Sequence, residues 1–264
     1  MTLRAAIAVL ILATAAPSMA SAGTDQPLGV TIRGQKLTLE VYAPKPGTPV
    51  KGTIFMGSGD VGWVGLAVTL AEFLSDQGYV VAGINVRQYL AAFALGSDHL
   101  QVDQIPADFD AFADALRKRG SLPGPVVLSG VSEGAALAVA AAASPGSHAW
   151  VSGVITMGLP AVAELAWRWR DAVSWITKSD ANEPSFNPHE IIAKVSPVPL
   201  WMIQSITDEY VPEADYRRFE RVAGSPKRLV LIDAKNHRFT DKLPELKTQY
   251  LAGLAWIAAN GVPK

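Results

Sequence analysis

Six short apolar runs, alternating with stretches of helical periodicity, constrain this chain more than any other feature. Gly52–Met56, Tyr79–Val86, Pro125–Ser129, Trp150–Met157, Val198–Gln204 and Arg228–Ile232 are continuous and rich in Val and Ile, the pattern of strands covered on both faces. Leu66–Gln77, Ala107–Arg119, Glu133–Ala143, Pro212–Val222 and Leu243–Asn260 place apolar residues three and four apart, as amphipathic helices do. Strand–helix alternation of this kind implies an α/β fold, a mostly parallel, doubly wound sheet. Ahead of it, Val30–Tyr42 alternates polar and apolar side chains about Gly34, which suits an antiparallel hairpin. Between Met157 and Val198 the alternation lapses, so residues 158–197 are expected to form a cap or lid insert within one domain spanning 23–264.

Residues 1–22 read as an export signal. Arg4 precedes a 12-residue apolar run, Ala5–Ala16, and Ala20-Ser21-Ala22 offers small residues for cleavage after Ala22. The run is short of the roughly 20 residues that span a bilayer. The expectation is a periplasmic or secreted protein. With 264 residues, of which 49% are hydrophobic and 18% charged, the chain has material for one large core. It has no Cys, which removes thiol nucleophiles and Cys-ligated metals, and its net charge of −1 lacks the basic surplus that neutralises phosphate backbones. Nucleic acid is not an expected partner, and no metal or cofactor is called for. Gly-Lys-Ser/Thr is absent, which argues against ATP, and the glycines of Gly57-Ser58-Gly59-Asp60-Val61-Gly62 are read as bringing backbone amides to a ligand, not as an NAD site.

The chemistry is sought at Gly130-Val131-Ser132-Glu133-Gly134, which directly follows one apolar run and opens an Ala-rich helical stretch. A strand-to-helix turn with glycines on both sides is the context in which a serine is strained and exposed as a nucleophile. A serine hydroxyl needs a base, and the base needs an orienting acid. Of the four histidines, His237 follows the last strand candidate. His99, His148 and His189 sit in polar or turn-rich stretches and are expected on the surface. Asp208 follows Val198–Gln204 at the carboxyl edge of the sheet, where sites collect; Glu209 and Asp233 compete with it. The chain order is then Ser, Asp, His. Oxyanion donors are sought in the amide of Glu133 and in the loop Gly57–Trp63, where Asp60 N–H is the assignment and Ser58 and Trp63 are candidate substrate contacts, with Glu209 nearby. In Ala161–Thr177, Leu165, Trp169, Val173 and Ile176 have helical spacing and read as core, which leaves Trp167 and Trp175 to face an acyl chain or a membrane interface.

With these residues placed, the chain resembles the α/β-hydrolase superfamily along nearly all of its length after residue 22. More narrowly it resembles the VirJ/AcvB family of bacterial periplasmic virulence-associated proteins, through Ser58-Gly59-Asp60-Val61-Gly62-Trp63, Gly78–Tyr89 and Gly130–Ala135. The resemblance implies Ser132 as nucleophile, Asp208 as acid and His237 as base. It also implies a hydrolase of aminoacylated phosphatidylglycerol or a factor for type IV secretion. The expected activity is therefore an exported serine hydrolase acting on a small-molecule or lipid ester through an acyl-enzyme, in peripheral contact with a membrane. Asp60, Glu133 and Glu209 would be available to a cationic head group. An amidase, thioesterase or peptidase would use the same triad, and a secretion-accessory binding protein would use the fold without chemistry.

Overall fold

A computed structural model describes residues 27–95, 98–168 and 183–261. Residues 1–22, read as an export signal, lie outside the described residues, as do Trp169 and Trp175. An eight-stranded sheet organises the rest, with strands β1 (Leu28–Ile32), β2 (Gln35–Tyr42), β3 (Gly52–Gly57), β4 (Tyr79–Ile84), β5 (Val126–Val131), β6 (Val151–Met157), β9 (Leu200–Ser205) and β10 (Lys227–Ile232). The spatial order is β1-β2-β4-β3-β5-β6-β9-β10. From β4 to β10 every neighbour is parallel, whereas β1 and β2 form the antiparallel hairpin that its alternation announces, β2 pairing with β4.

Helices cover both faces, which is why the central strands are apolar without alternation. One core layer gathers α2 (Val86–Phe93), α3 (Ile105–Lys118), α4 (Glu133–Ala142) and α5 (Glu213–Val222), with Tyr89, Phe109, Phe112, Leu137 and Phe219 among its buried residues. The other gathers α1 (Leu66–Asp76) and α6 (Leu243–Asn260), with Leu70, Leu74, Tyr250 and Ile257 buried against Ile54, Ile155 and Trp201. The helix α4 runs through the centre, so every residue from Gly134 to Ala142 is buried, which accounts for its run of alanines. Among the described residues no helix is long and apolar enough to cross a membrane.

Two local readings are corrected. The fourth strand ends at Ile84, two residues before Val86, because Asn85 turns the chain: its side chain accepts the Gln88 N–H and caps α2, a helix the apolar run conceals. Leu165, the one residue of the expected helical set among the described residues, is buried as expected but is not helical. Ala163–Glu164 is a short strand, β7, paired antiparallel with β8 (Ser185–Phe186), and Leu165 continues the ribbon by donating to Pro184 O at 2.7 Å.

Candidate active site

Strand β5 delivers Ser132 to the carboxyl edge of the sheet in a conformation of φ 53°, ψ −120°. A non-glycine residue there stores about 1–3 kcal/mol of backbone strain. Close packing imposes the turn. A Cβ on Gly130 would lie 2.1 Å from the Gly134 carbonyl carbon, and one on Gly134 would lie 2.4 Å from that of Gly57, so α4 starts pressed against β3 and β5 only because both positions lack side chains. Ser132 N–H donates to Met157 O at 2.9 Å, tying the elbow to the end of β6.

Asp208 and His237 come from the turns after β9 and β10 and meet: His237 Nδ1 lies 2.7 Å from Asp208 Oδ2, and the carboxylate is fully enclosed. Asp208 Oδ1 accepts the amides of Tyr210 and Val211 at 2.9 and 3.0 Å, and Gln204 Nε2 donates to Oδ2 at 2.7 Å. Burial alone would push Asp208 up. The hydrogen bond and charge of His237, together with the Tyr210 amide and Gln204, outweigh burial and hold it below the ordinary carboxylate value. Of the competing acids, Glu209 accepts the His237 backbone N–H at 2.8 Å, while Asp233 is exposed. Glu209 therefore fixes the loop that carries the imidazole.

His237 Nε2 is buried with no hydrogen-bond partner. Its ring lies against Gly158, where a Cβ would approach Cε1 to 2.5 Å, and Tyr210 stands edge-on to it at 5.3 Å. Gly158 follows Met157, the residue bonded to Ser132, so the elbow and the imidazole share the end of β6. The loop after β3 closes the site from the other side. A Cβ on Gly59 would lie 3.8 Å from Ser132 Cβ. Asp60 is raised by burial against the pull of two amides, Val61's and its own, and of the charges of His237 and Arg238.

Other candidates have different surroundings. Ser58 is fully buried, its hydroxyl donating to Gly59 O and accepting Val86 N–H, so it braces the loop. Trp63 donates to Tyr42 OH at 3.1 Å and packs onto β4, where a Cβ on Gly83 would meet its ring at 2.2 Å. Trp167 is stacked by Arg87, with the guanidinium carbon 4.4 Å from the ring centroid. The surface expectation fails for His189, which is buried and stacks 3.7 Å from the Phe219 ring. Its ring nitrogens meet Asn187 Oδ1 and Asp215 O, so it is a packing element beneath α5.

Gln204, Gly158 and Glu164 escape sequence reasoning. The first is a polar residue inside an apolar strand and the second a glycine directly after one, signals that are visible but not specific. Glu164 donates its backbone N–H to Glu133 Oε2 at 3.0 Å, a contact that leaves no sequence signal.

No protein-family model and no curated protein matches the sequence. Solved structures do. The esterase domain of a Rhodothermus marinus protein is 18% identical with a TM-score of 0.59, covering 88% of this chain and 98% of that one. Est1E from Butyrivibrio proteoclasticus is 15% identical with a TM-score of 0.64 over 90% and 100%. A putative dienelactone hydrolase from Klebsiella pneumoniae is 15% identical with a TM-score of 0.66 over 88% and 97%. Sheet order, elbow and edge loops together with these likenesses establish that the chain has the α/β-hydrolase fold.

Proposed function

We propose that the chain is an exported serine hydrolase that cleaves carboxylic esters through an acyl-enzyme on Ser132. The observation that carries the reading is the Asp208–His237 pair, with its outer nitrogen unpartnered at the strand edge that holds a strained serine. In this reading Nε2 takes the proton as Ser132 Oγ attacks the ester carbonyl, and returns it to the departing alkoxide. Asp208 keeps the Nδ1 proton in place and balances the imidazolium. The Glu133 amide and an amide of the Gly59–Asp60 loop face the oxyanion. Asp60 N–H already meets its own carboxylate, so Gly59, which lies against Ser132, is the second candidate donor. Water then repeats the sequence on the acyl-enzyme. The esterases and hydrolases among the structural neighbours support the reaction class.

The substrate proposed is an aminoacyl phospholipid of the phosphatidylglycerol type. The resemblance to the VirJ/AcvB family supports it, and so does the Asp60 carboxyl group in the loop beside the elbow, which offers an aminoacyl ammonium a partner. Val64, Leu95, Val162, Ile206 and Tyr210, all 45% exposed or more, lie on loops of the same edge and suit contact with a lipid surface. The test is hydrolysis of p-nitrophenyl esters and of lysyl-phosphatidylglycerol in vesicles by the mature protein and S132A. Turnover of both by wild type alone is expected; turnover of simple esters only would remove the lipid assignment. Turnover of neither would favour the secretion-accessory role.

A further inference from the structure

The residue after the nucleophile has a second task. Glu133 Oε2 accepts the backbone N–H of Glu164 at 3.0 Å. Glu164 lies in β7, which pairs antiparallel with β8. That ribbon is held on its other sides. Leu165 O accepts the Leu100 N–H at 2.9 Å, and Arg168 pairs with Glu183 and donates to Asp98 O at 2.7 Å. Ala163, Leu165 and Ala166 are buried. On the side facing the elbow, Glu133 reaches the ribbon.

We propose that Glu133 is a positioning residue for acyl transfer, its carboxyl group clamping the β7–β8 ribbon to the elbow so that Ser132 and the adjoining amide keep their orientation. The inference rests on Ser132 being the nucleophile. The charged groups facing Glu133 are Glu164 on the ribbon and Asp60 on the loop after β3; Asp60 in turn faces His237 and Arg238. Burial first, then the Glu164 charge, push Glu133 up to about 8, against the opposing hydrogen bond from the Glu164 amide and with a further push from Asp60. At neutral pH it is a neutral acid that still accepts the amide. Above that range it places an anion one residue from the developing oxyanion, so the rate falls as pH rises through about 8.

The experiment uses mature wild type, E133Q and E133A, with p-nitrophenyl acetate kinetics from pH 6 to 10 and hydrogen exchange of the peptide covering 163–166. E133A is expected to lose about tenfold in kcat/KM, mostly in kcat, as one hydrogen bond is lost. Its 163–166 amides should exchange faster while those of β5 and β6 do not. E133Q, which keeps an acceptor and cannot ionise, should rescue rate and exchange and lack the alkaline fall. Wild-type exchange and kcat in E133A, or the wild-type alkaline fall in E133Q, would overturn the proposal. An inactive wild type would count against the hydrolase reading alone, because exchange still decides whether the clamp exists.

Discussion

The two ends of the parallel strands differ in kind. At the amino end, Ala43, Pro44, Val50, Val80, Arg117 and Leu122 line an open groove of about 490 Å³. It is roomy, yet it gathers no pair of titratable groups and no strained side-chain-bearing residue. At the carboxyl end the loops are tight, and there lie Ser132 with its positive φ, the Asp208–His237 pair, the unpartnered Nε2 and the raised Glu133. Space alone therefore does not mark the candidate site. A strained serine, an Asp–His pair and an unpartnered ring nitrogen gathered at one edge do.

The largest effect that would break this contrast is expected from the proposed nucleophile and base. S132A and H237A should each lower ester turnover by about 10⁴-fold, S132A with the melting temperature little changed and H237A with a lower one, since it leaves the enclosed Asp208 carboxylate without its imidazole. D208N should lose about 10³–10⁴-fold in kcat, because an amide cannot balance the imidazolium and favours the wrong tautomer. G158A sharpens the contrast from a backbone position. Its methyl group would sit 2.5 Å from His237 Cε1, and displacing the ring should cost about 10²-fold in kcat.

A smaller effect concerns pH. Folded Glu133 holds its proton up to about 8 but releases it near 4.5 when unfolded. Between those values the folded state binds more protons, so stability is fully present below 4.5 and declines as pH rises towards 8. Thermal melting should show wild type losing ground to E133Q from pH 5 to pH 8.5. Least of all should happen at the amino end, where V50S, at a residue 51% exposed, should leave turnover unchanged and stability within about 0.5 kcal/mol.

What the sequence reveals follows this division. Buried parallel strands announce themselves, since covering both faces demands apolar runs, and all six emerge where the runs lie. The elbow is legible because glycine is forced on both sides of Ser132. The helix α2 is not, because Val86 closes the apolar run of the fourth strand and the eight residues after the Asn85 cap are too few to display a helical period. Asp208 is separable from Glu209 only in three dimensions: the two are adjacent in sequence, and one carboxylate meets the imidazole while the other meets its backbone amide. The tie between Glu133 and Glu164 spans 31 residues and uses a main-chain donor, so no residue pattern encodes it.

The central claim is that Ser132 is an activated nucleophile. Intact-mass measurement of mature protein after brief exposure to a fluorophosphonate tests it most directly, with S132A and H237A alongside. One phosphonyl adduct on wild type, mapped to Ser132 and missing from both variants, is the predicted result. Folded wild type that stays unmodified, or equal modification in S132A, would contradict it.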